Sequence, residues 1–165
     1  MATIDQFKAN LIGGGPRANR FRVFVPRAGQ RLEFLCTATK IPESTINTIS
    51  VPFRGQQLKL AGDRTFADWS ITVINDLDFS TRTALEAWSN DIASLSTTEA
   101  ATDTDYLLSR AFVEQLHKDD SVLARYEFFN MFPTSIGEIA LSSAEASEVE
   151  TFEVGFTYSH WERVL

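Results

Sequence analysis

At 165 residues and 18.5 kDa the chain has the length of one domain with a real core, and 44% hydrophobic against 22% charged residues excludes a disordered polymer. A net charge of -7 and a pI near 4.8 speak against a protein that coats nucleic acid by neutralising phosphates. The lone Cys36 cannot close an intramolecular disulfide. No apolar run approaches the roughly 20 residues that span a bilayer, and Met1-Ala2-Thr3 lacks a basic-then-apolar secretory start, so a reducing cytoplasm without membrane insertion is expected.

The charge is unevenly spread. Residues 1–64 hold ten Lys and Arg against four Asp and Glu, a net of +6, and residues 65–165 hold five against eighteen, a net of -13. Opposite potentials at the two ends of a chain suit head-to-tail contacts between copies, and two solvated faces are the plain alternative.

Ile4, Phe7 and Leu11 are spaced three and four apart and predict one apolar side of a helical turn, followed by Gly13-Gly14-Gly15-Pro16, which no helix continues through. Residues 1–18 therefore read as an N-terminal arm with a glycine hinge, and residues 19–165 as the domain. No strand precedes the glycines and no Lys-Ser or Lys-Thr follows them, which argues against a phosphate cradle. Arg20 to Pro26 alternates, with Phe21, Val23 and Val25 on one face, and a turn near Ala28-Gly29 is expected to return the chain as a hairpin through Arg31 to Cys36. Cys36 reads as a small buried hydrophobe.

Thr45 to Leu60 carries Ile46, Ile49, Val51, Phe53 and Leu58, broken by Pro52 and an Arg54-Gly55-Gln56-Gln57 turn. It is too apolar for a free loop and too interrupted for a core strand. The preferred reading is a projecting hairpin whose tip packs on a partner; a hairpin folded onto its own domain is the alternative. A turn is expected at Gly62-Asp63, closed by the Asp63 side chain, with Arg64 pairing locally or across an interface.

The next strand places Trp69, Ile71 and Val73 on one face and breaks at Asn75-Asp76. Asp78 or Ser80 then caps a helix to about Leu95, whose Leu85, Trp88, Ile92 and Leu95 form one stripe that covers a sheet. Ser96 to Asp105 reads as a loop. Strands follow at about Ser109 to His117 and Ser121 to Asn130, the second alternating through Val122, Ala124, Tyr126 and Phe128. Phe132-Pro133-Thr134-Ser135 is expected to end that strand. A last strand turns Phe152, Val154, Phe156 and Tyr158 inward and Thr151, Glu153, Gly155 and Thr157 outward.

The fold class is therefore mainly β (α+β): about eight strands in an antiparallel sandwich or barrel, one flanking helix and an arm. The expected core is Phe21, Val23, Trp69, Ile71, Val73, Leu85, Trp88, Ile92, Tyr126, Phe152, Val154 and Phe156. Expected contacts between subunits or rings are Ile4, Phe7, Leu11, Ile46, Ile49, Val51, Phe53, Arg54, Leu58, Asp63 and Arg64. Neither Asp63-Arg64 with Asp68 nor His117 with Asp119 supplies a nucleophile or a full metal set, so no enzyme activity, metal or cofactor is expected.

Several stretches together carry a resemblance. Ala61-Gly62-Asp63-Arg64-Thr65-Phe66, Asp68-Trp69, Thr72-Val73, Asn75-Asp76 and Trp88 resemble the tail tube proteins of contractile-tailed bacteriophages. Asn19, Phe21 and Val23 match the family's first strand, Phe34, Cys36 and Ala38 its second, and Ala38 to Pro42 the bend after it. Phe132-Pro133-Thr134, Ile136-Gly137-Glu138-Ile139 and Thr151-Phe152-Glu153-Val154 through Trp161 follow in order. The likeness runs from Asn19 to Glu162 and departs in the first 18 residues and from Ser94 to Ser109. It implies hexameric rings whose strands join one inner β-barrel, with the hairpin reaching the next ring. The rings stack into a tube inside a contractile sheath, through which DNA is ejected. The implied partners are further copies of the chain, the tail sheath protein, baseplate and tail terminator proteins, and, unbound in the lumen, the tape measure protein and DNA. A tube in a phage-like injection system or bacteriocin and a baseplate protein that initiates the tube are the near alternatives; a monomeric β-sandwich binding module is the distant one.

Overall fold

A computed structural model of the chain describes residues 1, 3–94, 100, 102–144 and 148–165. Period-two alternation is realised most fully in β5 (Trp69–Ile74) and β9 (Thr151–Thr157), which pair antiparallel and turn Trp69, Ile71, Val73, Phe152, Val154 and Phe156 into the core. Beside them lie β2 (Cys36–Thr39) and β8 (Phe132–Ile136), giving a sheet ordered β2-β5-β9-β8. A second sheet is ordered β1-β6-β7-β10, from β1 (Phe21–Phe24), β6 (Ala111–Leu116), β7 (Val122–Phe129) and β10 (His160–Arg163).

The two sheets are joined through aromatic rings. Trp69 of β5 stacks on Phe128 of β7 with centroids 4.4 Å apart and lies 5.4 Å from Phe156, while its indole N–H donates to Thr39 Oγ1 at 3.0 Å. Val23, Ala111 and Val113 are buried on the second sheet, with Phe21 and Tyr126 half-buried against the core. Helix α3 (Ser80–Ile92) closes one end, burying Leu85 and Trp88 and half-burying Ile92. The Trp88 indole N–H donates to the Tyr106 carbonyl at 2.9 Å, and Arg82 reaches from α3 to the Gly137 carbonyl at 3.0 Å.

Several elements differ from the sequence expectation. The chain after β1 does not return as a hairpin. β1 pairs with β6, Pro26–Ala28 forms a 3-10 turn, and α2 (Leu32–Leu35) is one helical turn that buries Leu32 and leaves Phe34 exposed. Pro26 sets a helical φ and offers no N–H to a ladder, which favours that turn. The second strand thus begins at Cys36, whose half-buried thiol is pushed up to about 11 by burial.

The expected turn at Gly62-Asp63 is absent. Both residues lie inside β4 (Gln56–Phe66), which pairs with β3 (Ser44–Phe53), and the register shifts between Ile46 and Thr48. A Cβ on Gly62 would sit 3.0 Å from the Asn47 carbonyl, so this glycine serves a bulge and a close backbone approach rather than a turn.

Phe132 to Ser135, expected to end a strand, forms most of β8, whose edge position tolerates Pro133. With β10 also unforeseen, there are ten strands among the described residues where about eight were expected. The cap of α3 is neither Asp78 nor Ser80 but Phe79, at φ 56°; Asp78 instead accepts the Ser80 N–H at 3.3 Å. The Ser80 hydroxyl donates to Asp76 at 2.6 Å and holds that carboxyl below its usual range, and Arg31 pairs with both Asp76 and Asp78. Leu95, expected as the last residue of the helical stripe, lies outside the described residues.

Candidate assembly surface

β3 and β4 form a two-stranded sheet of their own, and none of its residues is buried. Cross-strand pairing puts Ile49 opposite Leu60, Val51 opposite Leu58 and Phe53 opposite Gln56. With alternation, one face of the outer hairpin carries these five apolar residues with Gln56 at its end; Thr48, Ser50, Lys59 and Gln57 lie on the other. Ile49, Val51, Phe53, Leu58 and Leu60 are all exposed, with Phe53 at 66%. The tip is Arg54-Gly55, both at positive φ, and the Arg54 guanidinium lies 5.2 Å from the Phe53 ring centroid. Ile46 is also exposed, opposite Arg64, which donates to Ser44 Oγ at 2.7 Å.

The base is fastened where the outer part is free. Phe66 lies 6.0 Å from both Tyr158 and Trp161, and the Tyr158 hydroxyl donates to the Ala67 carbonyl at 2.6 Å. Burial, and then the Asp68 charge, raise the Tyr158 phenol well above its usual range. Asp68 accepts from Thr157 at 2.7 Å and Ala67 N–H donates to the Glu43 carbonyl at 3.1 Å. These contacts fasten the base of the hairpin to the sandwich.

A second uncovered element is α1 (Ile4–Asn10), held by a Thr3–Gln6 capping box, with no buried residue. Ile4, Phe7 and Leu11 are exposed, as is Ile12 beyond them. Gly13, Gly14 and Gly15 all take positive φ, a run that other residues adopt only under strain.

The charges sort differently from a simple half-against-half division. Arg20, Arg22, Arg27 and Arg31 pair within the subunit with Asp120, Glu114, Asp91 and Asp76-Asp78. Among the described residues, Lys8, Arg17, Lys40, Arg54, Lys59, Arg64, Arg110, Lys118 and Arg163 make no ion pair. The cations left over lie on the arm, on and around the hairpin, and at three places on the sandwich: just before β6, between β6 and β7, and on β10.

One strongly buried charge went unforeseen. Glu114 on β6 has no exposed surface, sits in register between Arg22 and Arg125, and accepts from Arg125 Nε at 2.7 Å and Arg22 Nη1 at 3.5 Å. Arg22 continues to Glu33 at 2.9 Å, so four charges of alternating sign cross α2, β1, β6 and β7. Polar residues at matched registers on three strands were visible in the sequence, but the β1–β6 pairing that aligns them was not. Leu60 was overlooked for a simpler reason, since the supposed turn at Gly62 ended its strand early. Asp63, Arg64 and Asp68 do not converge, and Asp119 is turned to Ser121, whose hydroxyl donates to it at 2.6 Å and lowers its pKa.

A family model described as phage tail tube protein matches residues 10–164. The chain belongs to the phage tail tube protein family. It is 32% identical over 159 residues to the tail tube protein gp19 of Enterobacteria phage T4, a match covering 96% of this chain and 98% of that protein. It is 26% identical over 168 residues to the tail tube protein of Serratia phage KSP90, covering 96% and 95%. A chain in the sheath–tube complex of an extracellular contractile injection system, PVC, in the extended state shares the fold with a TM-score of 0.68 at 15% identity, covering 99% and 98%. The family match starts inside α1 and runs through residues 94–109, so the tail tube likeness is wider than the span from Asn19 to Glu162.

Proposed function

We propose that this chain is the structural subunit of a phage tail tube, six copies closing a ring and rings stacking head to tail within a contractile sheath. The observation that carries the reading is the hairpin: 21 strand residues, none of them buried, with Ile49, Val51, Phe53, Leu58 and Leu60 exposed on one face of its outer part. A lone two-stranded hairpin is marginal in water, and an uncovered apolar face of this kind invites association. Homology to phage tail tube proteins supplies the kind of association.

Both sheets of the sandwich are open, with edges at β1 and β10 and at β2 and β8. Closing such sheets around a ring would remove edges that a free subunit exposes. The role is passive and needs no catalysis. With net charge -7, an acidic lumen would repel phosphates and let DNA slide without sticking. Sheath, baseplate, terminator and tape measure proteins are the partners this role requires, and the virion is its location, after assembly in the host cytoplasm.

Negative-stain electron microscopy of the purified protein, at rising concentration and then with baseplate from the same source, tests the proposal. Hollow rings or tubes of one width are expected. Compact single particles that persist after baseplate is added would overturn it.

A further inference from the structure

We propose that helix α1 of one copy lies along the apolar face of the β3–β4 hairpin of a second copy, completing between subunits a two-layer unit that neither completes alone. The pairing rests on the tail tube reading and deepens it by naming two surfaces that meet. Among the described residues, α1 contacts the 3-10 turn that follows it, the hairpin is fastened near Phe66 and Ala67, and the apolar residues of both faces are exposed.

The two faces match in length and width. From Ile49 to Phe53 the hairpin face extends about 13 Å at 3.3 Å per residue, and from Ile4 to Leu11 the helix face extends about 10 Å at 1.5 Å per residue. Two strands about 4.8 Å apart with their side chains make a bed as broad as one helix, roughly 10 Å. A helix laid on a sheet is an ordinary way for two half-apolar elements to bury each other.

Area decides when the contact forms. Five half-exposed apolar side chains on the hairpin offer on the order of 400 Å², the size of the largest patch on a typical monomer. The helix offers a similar amount, so the pair would bury about 800 Å² in total, below the roughly 1,200 Å² of a stable complex. Two free subunits therefore do not dimerise through it, and the contact closes as part of a larger assembly. The run Gly13-Gly14-Gly15 gives the arm backbone freedom to be reset at that moment.

Two chains, one carrying Phe7→Cys and the other Val51→Cys, each with Cys36→Ser, are assembled together on baseplate, oxidised and run on a non-reducing gel; particles are counted by electron microscopy. A dimer containing one of each chain is expected, about tenfold above that given by Ser50→Cys on the polar face, because a disulfide forms only across a short reach. Ile4→Cys replaces Phe7→Cys if the latter blocks assembly. Tubes with no mixed dimer, or with equal yield from Ser50→Cys, overturn the pairing and leave the tail tube reading standing. Neither tubes nor mixed dimer, with the Cys36→Ser parent also failing to form tubes on baseplate, overturns both. Phe7→Cys and Val51→Cys placed in one chain that closes as a compact monomer would assign the hairpin face to the chain's own arm and overturn the proposal.

Discussion

Strand β5 sets Trp69, Ile71 and Val73 on one face, and strand β3 sets Ile49, Val51 and Phe53 on one face by the same alternation. The first three are buried and the second three are exposed. Periodicity reveals which face of a strand is apolar and leaves open what covers it. For β5 the cover is the chain's own second sheet, and among the described residues nothing buries the apolar side chains of β3. A substitution in each region reads out that difference as free energy.

The largest effect is expected in the sandwich. Trp69→Ala removes the ring that stacks on Phe128 and abuts Phe156, and a truncation of this kind in a closed core costs about 3–5 kcal/mol. Urea denaturation of the free subunit measures it. A cost below about 1 kcal/mol would mean that the two sheets are not held through this contact, and the contrast with the hairpin would lose its basis.

A smaller effect is expected where the sandwich buries charge. Glu114→Gln keeps the shape and removes the negative charge between Arg22 and Arg125. Breaking a buried pair costs most when the abandoned charge is itself buried. Here both arginines keep more than a third of their side-chain surface, and Arg22 still has Glu33. The expected loss is therefore about 1–2 kcal/mol by the same denaturation assay.

The residues that could be read from sequence are those whose environment lies within a few positions along the chain. The alternation of Phe152, Val154 and Phe156 and the helical spacing of Leu85, Trp88 and Ile92 follow from local period alone. What escaped depends on distant partners or on competing local rules. β1 was paired with the next segment because short hairpins are common, but its partner β6 lies about 90 residues away. Gly62 reads as a turn in the sequence because glycine marks turns and bulges alike, and the opposing Asn47 distinguishes them. Glu114 gave no signal until three strands were in register. The hairpin of the candidate surface is legible because its apolar residues are too many for a loop, while the same glycine cuts it short toward its base.

The smallest effect on the free subunit is expected in the hairpin, and its smallness is the point. Val51→Ser combined with Leu58→Ser removes one cross-strand apolar pair from a face that water already reaches. The pair itself supports hairpin pairing by about 0.2–1 kcal/mol, but the hairpin unfolds locally without exposing the sandwich core. The urea midpoint of the free subunit should therefore stay within about 0.5 kcal/mol of the parent. In the assembled state the same two residues would lie in a dry contact, repeated in every subunit of every ring, so tube yield by electron microscopy should collapse. A variant that loses about 2 kcal/mol or more as a free subunit would show that the hairpin packs on its own sandwich in solution. A variant that keeps both stability and tubes would show that the apolar face covers nothing. Only unchanged stability with lost assembly fits a surface that one copy builds and another copy buries.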